Sequence, residues 1–199
     1  MKIRYTALIG VMFLILLILV NYSHVKLLKV NVVFYAALAD GLAATAITAA
    51  ILYFLPKFKL FSVFEKFQLV IIALLTSYIF AISVPTVIDR SLSIYILEKI
   101  EQRGGGIQQA GFPQVFVEEY MPEHRLVDVR LTEQLESGTI VMEDGCVKLT
   151  AKGEAVVKFS RFYRRHWLPK KRLLMGEYTD DLTDPFRNST APPIDYTCR

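Results

Sequence analysis

Three long apolar stretches occupy the first half of the chain and constrain its fold more than any other feature. They cover about residues 5–23, 30–55 and 65–84, and few charged side chains interrupt them. A helix needs roughly 20 mostly apolar residues to cross about 30 Å of hydrocarbon. The sequence therefore predicts three transmembrane helices. The first should be a retained anchor, because no small-residue cleavage site follows it.

Small side chains recur at helical spacing along the second stretch. Ala37, Gly41 and Thr45 lie on one line of the helix, and Asp40 and Ala44 lie on the next. Small residues let the backbones of membrane helices approach closely. We predict that this face packs against protein, either in helix packing or in contact with a membrane partner.

Asp40 interrupts the second stretch. A charged carboxyl group in hydrocarbon costs several kcal/mol, so Asp40 should be protonated, paired or next to a polar cavity. It could serve a proton relay or a partner contact, or it could form a structural hydrogen bond with Thr45, Thr48 or a neighbouring helix. The other spans offer no basic partner, so a transport pathway is not indicated.

Pro85 ends the third stretch, and a shorter apolar segment with Asp89 and Arg90 at its start follows. This segment is too short to cross a bilayer, so it predicts an interfacial helix over residues 89–101. Asp89 and Arg90 could contact a lipid headgroup or a polar substrate. The alternative is that they cap a helix and meet water.

Three consecutive glycines, residues 104–106, predict a linker over residues 104–112 between a membrane domain, 1–103, and a soluble half. Residues 1–103 carry ten Lys and Arg against five Asp and Glu, whereas residues 104–199 carry thirteen against fourteen. A nearly neutral soluble half does not favour a module that coats nucleic acid.

The soluble half alternates helices with short strands. Residues 123–136 predict a helix closed by Ser137-Gly138, and residues 139–142 and 146–149 predict strands around an Asp-Gly turn. Leu-Thr-x-Lys-Gly and another helix follow. Over about residues 115–163 this order resembles the recognition helix and wing of winged-helix domains. The resulting fold class is an α-helical membrane protein with three transmembrane helices plus a small α+β winged-helix-like soluble domain at residues 113–175.

In winged-helix domains the helix before the wing often enters the DNA major groove. Here that helix contains Arg125 and Arg130 against four acidic residues, and the turn adds two more. An acidic face repels phosphates. We therefore do not expect nucleic acid to be a partner. The acidic residues are Glu123, Asp128, Glu133, Glu136, Glu143 and Asp144.

Basic residues alternate with aromatic ones between residues 158 and 172. A basic amphipathic helix with Trp and Phe is typical of a membrane surface, although a solvated charged face beside a local core would share this pattern. The predicted membrane-contact residues are Arg161, Arg164, Arg165, Trp167, Lys170, Lys171 and Arg172. Residues 176–199 predict an extended or disordered tail with a possible glycosylation acceptor at Asn188.

The sequence predicts no catalytic residue, metal or cofactor. His24, His124 and His166 are scattered, and Glu118, Glu119, Glu123 and His124 could form a metal or acid–base site only if folding brings them together. Cys146 and Cys198 are far apart and do not indicate a disulfide framework.

Three functions remain open at this level. The first is a non-enzymatic accessory or scaffolding subunit of a membrane complex, with membrane lipid and a membrane protein as partners. The second is a membrane-tethered DNA-binding regulator, and the third is a membrane enzyme that acts on a lipid-linked substrate through Asp40, Asp89 or Arg90. Basic residues near the spans balance at five on each side. The winged-helix resemblance, the unpaired cysteines and the basic-aromatic helix predict a cytoplasmic soluble half at the plasma (inner) membrane.

Overall fold

A computed structural model of the chain describes residues 2–187. The chain divides into two compact units, Met1–Leu126 and Val127–Arg199. Unit 1 is helical, and the described part of unit 2 combines helices with two small antiparallel sheets. The division falls after the glycine-rich segment that was predicted to be the linker, because residues beyond that segment pack back against unit 1.

Three helices of unit 1 are long and apolar enough to cross a membrane. Helix α1 spans Lys2–Leu27, α2 spans Val33–Phe54 and α3 spans Val63–Ser83. Large apolar side chains of these helices face outward; Leu14, Ile15 and Ile18 of α1, for example, are 48%, 54% and 58% exposed. An apolar exterior of this extent is compatible with an integral membrane protein, because lipid tails are as apolar as these side chains.

The interior of the bundle is built from residues of all three helices. Helix α2 lies between the other two and packs against both. Apolar side chains fill two clusters, one beneath the α2–α3 connection and one near the middle of the bundle. Their buried members are Ile9, Leu52, Phe58 and Phe61 in the first cluster, and Phe13, Leu17, Ala44 and Ala73 in the second.

Capping residues determine where α3 begins. The Ser62 hydroxyl accepts a hydrogen bond from the Glu65 backbone N–H at 3.2 Å, and the Glu65 carboxylate accepts one from the Ser62 N–H at 2.7 Å. This reciprocal capping satisfies two donors at the helix start. Glu65 also pairs with Lys2 at 2.8 Å, which joins the start of α3 to the start of α1.

Two short helices follow α3. Pro85 begins α4, Pro85–Arg90, and Ser91 caps α5, Leu92–Gln102, by accepting from the Ile94 N–H at 3.2 Å. The predicted interfacial helix over residues 89–101 thus corresponds to the end of α4 and most of α5. The break at Ser91 separates Asp89 and Arg90 from the helix that they were predicted to start.

Residues 112–123 form a short irregular helix, α6. Its π-helical turn, Val115–Tyr120, lies between the α-helical turns Phe112–Gln114 and Met121–Glu123. Tyr120 and Val115 pack with Tyr95 of α5 in a buried cluster. The packing places α6 in unit 1, whereas the winged-helix resemblance placed it in the soluble domain.

Helix α7, Leu126–Glu136, contains the start of unit 2 at Val127 and begins directly after Arg125, which has a left-handed conformation (φ 45°). Strands β1, Ile140–Glu143, and β2, Cys146–Leu149, then form an antiparallel hairpin. Its turn residues Asp144 and Gly145 have φ angles of 53° and 75°, a conformation that Asp-Gly turns favour. The predicted strands and turn are confirmed.

Helix α8 spans Ala151–His166, and Thr150 caps it by accepting from the Gly153 N–H at 3.1 Å. A second hairpin follows, formed by β3, Arg172–Leu174, and β4, Glu177–Thr179. This hairpin was not predicted, and β4 lies where the sequence indicated an extended or disordered tail. The glycosylation acceptor at Asn188 lies outside the described residues.

Candidate functional site

The small-residue face of α2 lies inside the helix bundle. Each predicted residue of this face is at most 6% exposed where a value is given, and Ala37 and Ala44 are completely buried. The face comprises Ala37, Asp40, Gly41, Ala44 and Thr45. Their packing role is therefore met by helices of the same chain, and this face is not available to a separate partner.

Ser77 of α3 makes the closest contact with this face. Its hydroxyl donates to the Gly41 carbonyl at 3.1 Å and lies 3.2 Å from the Thr45 hydroxyl. A Cβ atom added at Gly41 would lie only 2.6 Å from the Ser77 Cβ. Glycine is therefore required for the observed approach of α2 and α3. Ser77 was not among the residues predicted from sequence, although a hydroxyl residue in an apolar span is a recognised signal for interhelical hydrogen bonding.

Asp40 is held by two side chains of α1. Asn21 donates from Nδ2 to Asp40 Oδ2 at 2.8 Å, and His24 Nδ1 lies 2.6 Å from Asp40 Oδ1. Asp40 itself is 3% exposed. The expectation that no other span offers Asp40 a basic partner is wrong. Helix α1 continues to Leu27, beyond the apolar stretch, and thereby carries His24 alongside α2.

The polar cluster of Asn21, His24 and Asp40 joins α1 to α2 through side-chain hydrogen bonds, and the buried Asp40 carboxyl group thereby has two polar partners. The His24 ring also lines a shallow, mainly apolar groove of about 480 Å³ with Ser23, Leu27 and neighbouring residues of α1. His24 is thus reachable from the side of the bundle.

Asp89 and Arg90 lie at the end of α4. Arg90 Nε is 3.8 Å from Asp89 Oδ2, and the two side chains are 25% and 39% exposed, respectively. Helix α4 packs against α2 and α3. The partial exposure of both residues is what a headgroup contact requires, and that contact stays a prediction.

A second polar cluster joins α5 to α6 around Lys99, whose side chain is only 4% exposed. Lys99 Nζ lies 2.9 Å from Glu119 Oε2 and 2.7 Å from Glu123 Oε1. The Tyr95 hydroxyl donates to Glu123 Oε2 at 2.8 Å, and Arg103 pairs with Glu119 at 2.6 Å. The sequence left open whether folding brings Glu119 and Glu123 together. In the fold both carboxylates contact the Lys99 ammonium group.

The ionisation of this cluster follows from its hydrogen bonds. The pKa of Glu119 is lowered by Lys99 and then Arg103, and the pKa of Glu123 is lowered by Lys99 and then Tyr95. Both carboxylates raise the pKa of Lys99. Burial, followed by the bond to Glu123, raises the pKa of Tyr95. At neutral pH the Lys99 ammonium group is therefore a cation held between two anions, which clamps α6 onto α5.

The predicted membrane-contact residues lie on α8 and on the segment that leads into β3. Arg164 is half-buried, and its guanidinium donates to the Leu182 carbonyl at 3.1 Å. Arg164 therefore stabilises unit 2 itself. The other members of the set, Arg161, Arg165, Trp167, Lys170, Lys171 and Arg172, are exposed.

Cys146 at the start of β2 is disulfide-bonded. The sequence-based expectation that the cysteines of the chain are unpaired is therefore wrong for Cys146. The chain's other cysteine, Cys198, lies outside the described residues. Spacing in the sequence did not indicate the bond, because two distant cysteines carry no pattern.

Similarity to known proteins does not identify any of these clusters. The chain matches no protein-family model, no curated protein and no solved structure. The function must therefore be inferred from which surfaces the fold buries and which surfaces it leaves exposed.

Proposed function

We propose that the chain is a non-enzymatic accessory subunit of a membrane complex, and that unit 2 contacts a protein partner at the membrane surface. The observation that supports this proposal is an exposed apolar face on the β1–β2 hairpin. The hairpin corresponds to the wing of the winged-helix resemblance.

The two faces of this hairpin differ in chemistry. Met142 pairs with Val147 across the strands, and these side chains are 50% and 42% exposed. Leu149, on the same face, is 54% exposed, and its cross-strand partner Ile140 is buried. The opposite face carries an ion pair between Lys148 and Glu143 at 2.9 Å. Contact with water is favourable for the polar face, whereas burial against another surface is favourable for the apolar face.

A lone two-stranded hairpin is at best marginally stable in water. Covering the Met142–Val147 pair would add cross-strand and hydrophobic contacts, each contributing on the order of 1 kcal/mol. Acidic residues occur in and beside the hairpin turn, Glu143 and Asp144, and three more occur on α7. Such a charge pattern repels phosphate groups. It supports a protein partner over nucleic acid or an anionic lipid surface.

The contact proposed here lies in unit 2 because the small-residue face of α2 is occupied by α1 and α3. A partner inside the membrane would instead have to use the outward apolar surfaces of the bundle, where no residue pattern singles out one patch. The hairpin offers a defined patch with a matched polar control face. It is therefore the sharper place to test the proposal.

The side of the membrane on which unit 2 lies is also a proposal. The cytoplasmic prediction depended in part on unpaired cysteines, whereas Cys146 is disulfide-bonded and disulfides persist in oxidising compartments. We therefore place unit 2 on the extracytoplasmic side, a choice that the equal numbers of basic residues on the two sides of the spans leave open. A reporter fused after Arg199 that is active only in the cytoplasm would restore the sequence-based placement.

Site-specific photo-cross-linking of the full-length chain in its native membrane tests the partner contact. A photoreactive residue at 142 or 147 should form a discrete protein adduct, whereas the same residue at 141 or 148 should not. Met142→Lys should abolish the adduct formed at 147. Val141→Lys, at a neighbour that is 37% exposed on the other face, should leave it unchanged.

The adduct pattern also tells the candidate functions apart. Equal adducts at all four positions, or none, would contradict a specific protein contact at this face. Adducts with nucleic acid would favour the membrane-tethered regulator instead.

A further inference from the structure

Helix α8 contacts the rest of unit 2 along one narrow edge. Gly153 is buried and Val157 and Arg164 are half-buried, whereas the other described positions of this helix are exposed. A Cβ atom at Gly153 would lie 2.1 Å from the Thr139 carbonyl oxygen, so the start of the helix is pressed against the segment before β1. Within the part of unit 2 that the structure describes, the remainder of its circumference is exposed.

An aromatic ladder runs along one uncovered side of α8. The rings of Phe159 and Tyr163 are 6.0 Å apart, those of Phe162 and His166 are 4.5 Å apart, and those of Tyr163 and Trp167 are 5.4 Å apart. Phe159, Phe162 and Trp167 are 66%, 51% and 69% exposed. Burial of rings of this size would contribute a large favourable hydrophobic free energy, which is absent while the rings are exposed to water. The ladder is thus a surface suited to burial.

A basic strip lies beside the ladder. Lys158, Arg161 and Arg165 recur at three- and four-residue spacing, which places them on one side of the helix. Between Glu154 and Glu177 the chain has seven basic residues and no acidic residue. The charge of this region is therefore opposite to that around the β1–β2 hairpin.

The β3–β4 hairpin extends the same combination beyond the helix. Leu173 and Tyr178 form a cross-strand pair and are 56% and 71% exposed, and Met175 in the turn is 85% exposed. Aromatic and basic residues alone would also suit single-stranded nucleic acid, where bases stack on rings. Exposed aliphatic side chains at a turn fit a hydrocarbon layer better than they fit single-stranded nucleic acid, because they offer bases no surface on which to stack.

We infer that α8 and the β3–β4 hairpin bind the anionic lipid surface of the membrane that the helix bundle of unit 1 occupies. The basic strip contacts acidic headgroups, and the aromatic ladder with Leu173 and Met175 enters the boundary between headgroups and acyl chains. Because the chain is joined to three apolar helices, this docking is intramolecular and needs little intrinsic affinity. It does not depend on the proposed protein contact, which uses a different face.

Trp167 is the only tryptophan of the chain, so its fluorescence reports directly on this surface. The full-length protein is placed in nanodiscs of phosphatidylcholine alone or with phosphatidylglycerol. With the anionic lipid we expect Trp167 emission at shorter wavelength and quenching by brominated acyl chains. Both effects should weaken at high salt, because the strip acts through charge.

Charge-removal variants provide the matched comparison. Each basic residue near an anionic surface contributes on the order of a fivefold change in the docked-to-undocked ratio. Lys158→Gln, Arg161→Gln and Arg165→Gln combined should therefore reduce that ratio on the order of a hundredfold. Lys148→Gln on the β1–β2 hairpin is the control and should not change Trp167 emission. Circular dichroism confirms that each variant keeps its helix content.

Identical Trp167 emission and quenching in the two kinds of nanodisc would overturn the inference. So would a triple variant that behaves as the unsubstituted chain in anionic nanodiscs. A shift that appears only when single-stranded DNA is added, and not with anionic lipid, would also overturn it and would identify nucleic acid as the ligand.

Discussion

The small-residue face of α2 and the aromatic face of α8 both follow helical periodicity, yet the fold treats them in opposite ways. Ala37, Gly41 and Asp40 of α2 are enclosed by α1 and α3. Phe159 and Phe162 of α8, and Trp167 directly after it, remain exposed. A periodic pattern predicts that a face will be covered, but it does not say whether a helix of the same chain, another protein or lipid covers it.

The difference follows from side-chain size and from what each helix has beside it. Short connections place α1 and α3 next to α2, and small side chains let all three backbones come together. Large rings on α8 would hold a neighbouring helix further away, and the closest contacts that the described part of unit 2 makes with its start come from Thr139 and Leu149. The first face is therefore closed within the fold and the second remains for the surroundings.

Breaking the closed face should have the largest effect. Gly41→Leu places a branched side chain where even a Cβ atom would lie 2.6 Å from Ser77, so it must separate α2 from α3. We expect a loss of about 3 kcal/mol in the free energy of unfolding, at the upper end of overpacking effects. Reversible unfolding of the purified chain by a denaturing detergent measures this loss.

Ala46→Leu is the matched control, because Ala46 lies on an exposed side of the same helix. Its effect should stay within about 0.5 kcal/mol. A similar loss for both variants would show that leucine is disfavoured anywhere on α2, and that the close approach at Ser77 is not the cause.

The polar part of the closed face should give a smaller effect. Asp40→Ala, His24→Ala and the double variant form a cycle that isolates the contact between the two side chains. Because this contact is a 2.6 Å hydrogen bond to a buried carboxyl group, we expect a coupling free energy of about 1–3 kcal/mol. Additive losses from the two single variants would mean that Asn21 alone accounts for the stability of the cluster.

The Lys99 cluster joins two helices outside the three apolar helices. Disrupting it should therefore have a local effect on α6. Glu119 and Glu123 have pKa values below their ordinary 4.5 when folded. Their contribution is therefore complete above about pH 4.5 and is lost as the pH falls through the lowered values. Lys99 adds no loss in this range, because its raised pKa keeps it charged.

Hydrogen exchange of residues 112–123, corrected for the intrinsic rate at each pH, measures this clamp. Protection should be constant from pH 7 to about pH 5 and should fall below pH 4.5, the ordinary carboxyl value. Lys99→Met should reduce protection already at pH 7. Unchanged protection in this variant would show that the aromatic packing of Tyr95 and Tyr120 holds α6 without the ion pairs.

Sequence patterns were sufficient wherever structure depends on near neighbours. The three apolar helices and the β1–β2 hairpin are local features, and both were predicted. The pairing of His24 with Asp40 was missed because hydropathy ends near residue 23, whereas α1 continues to Leu27. The β3–β4 hairpin was missed because two strands of three residues are too short to show periodicity.

The sequence by itself determined which segments are apolar enough to cross a membrane, where the strands of the first hairpin turn, and which faces of α2 and α8 differ from their surroundings. These properties are set by side chains within a few residues of one another. Only the tertiary structure decided that α1 and α3 enclose Asp40 and Gly41, that Lys99 holds α6 in unit 1, and that the ladder on α8 stays uncovered. Each of these outcomes depends on how rigid helices rotate and approach, because contacts between distant residues form only when the whole packing brings them within hydrogen-bonding distance.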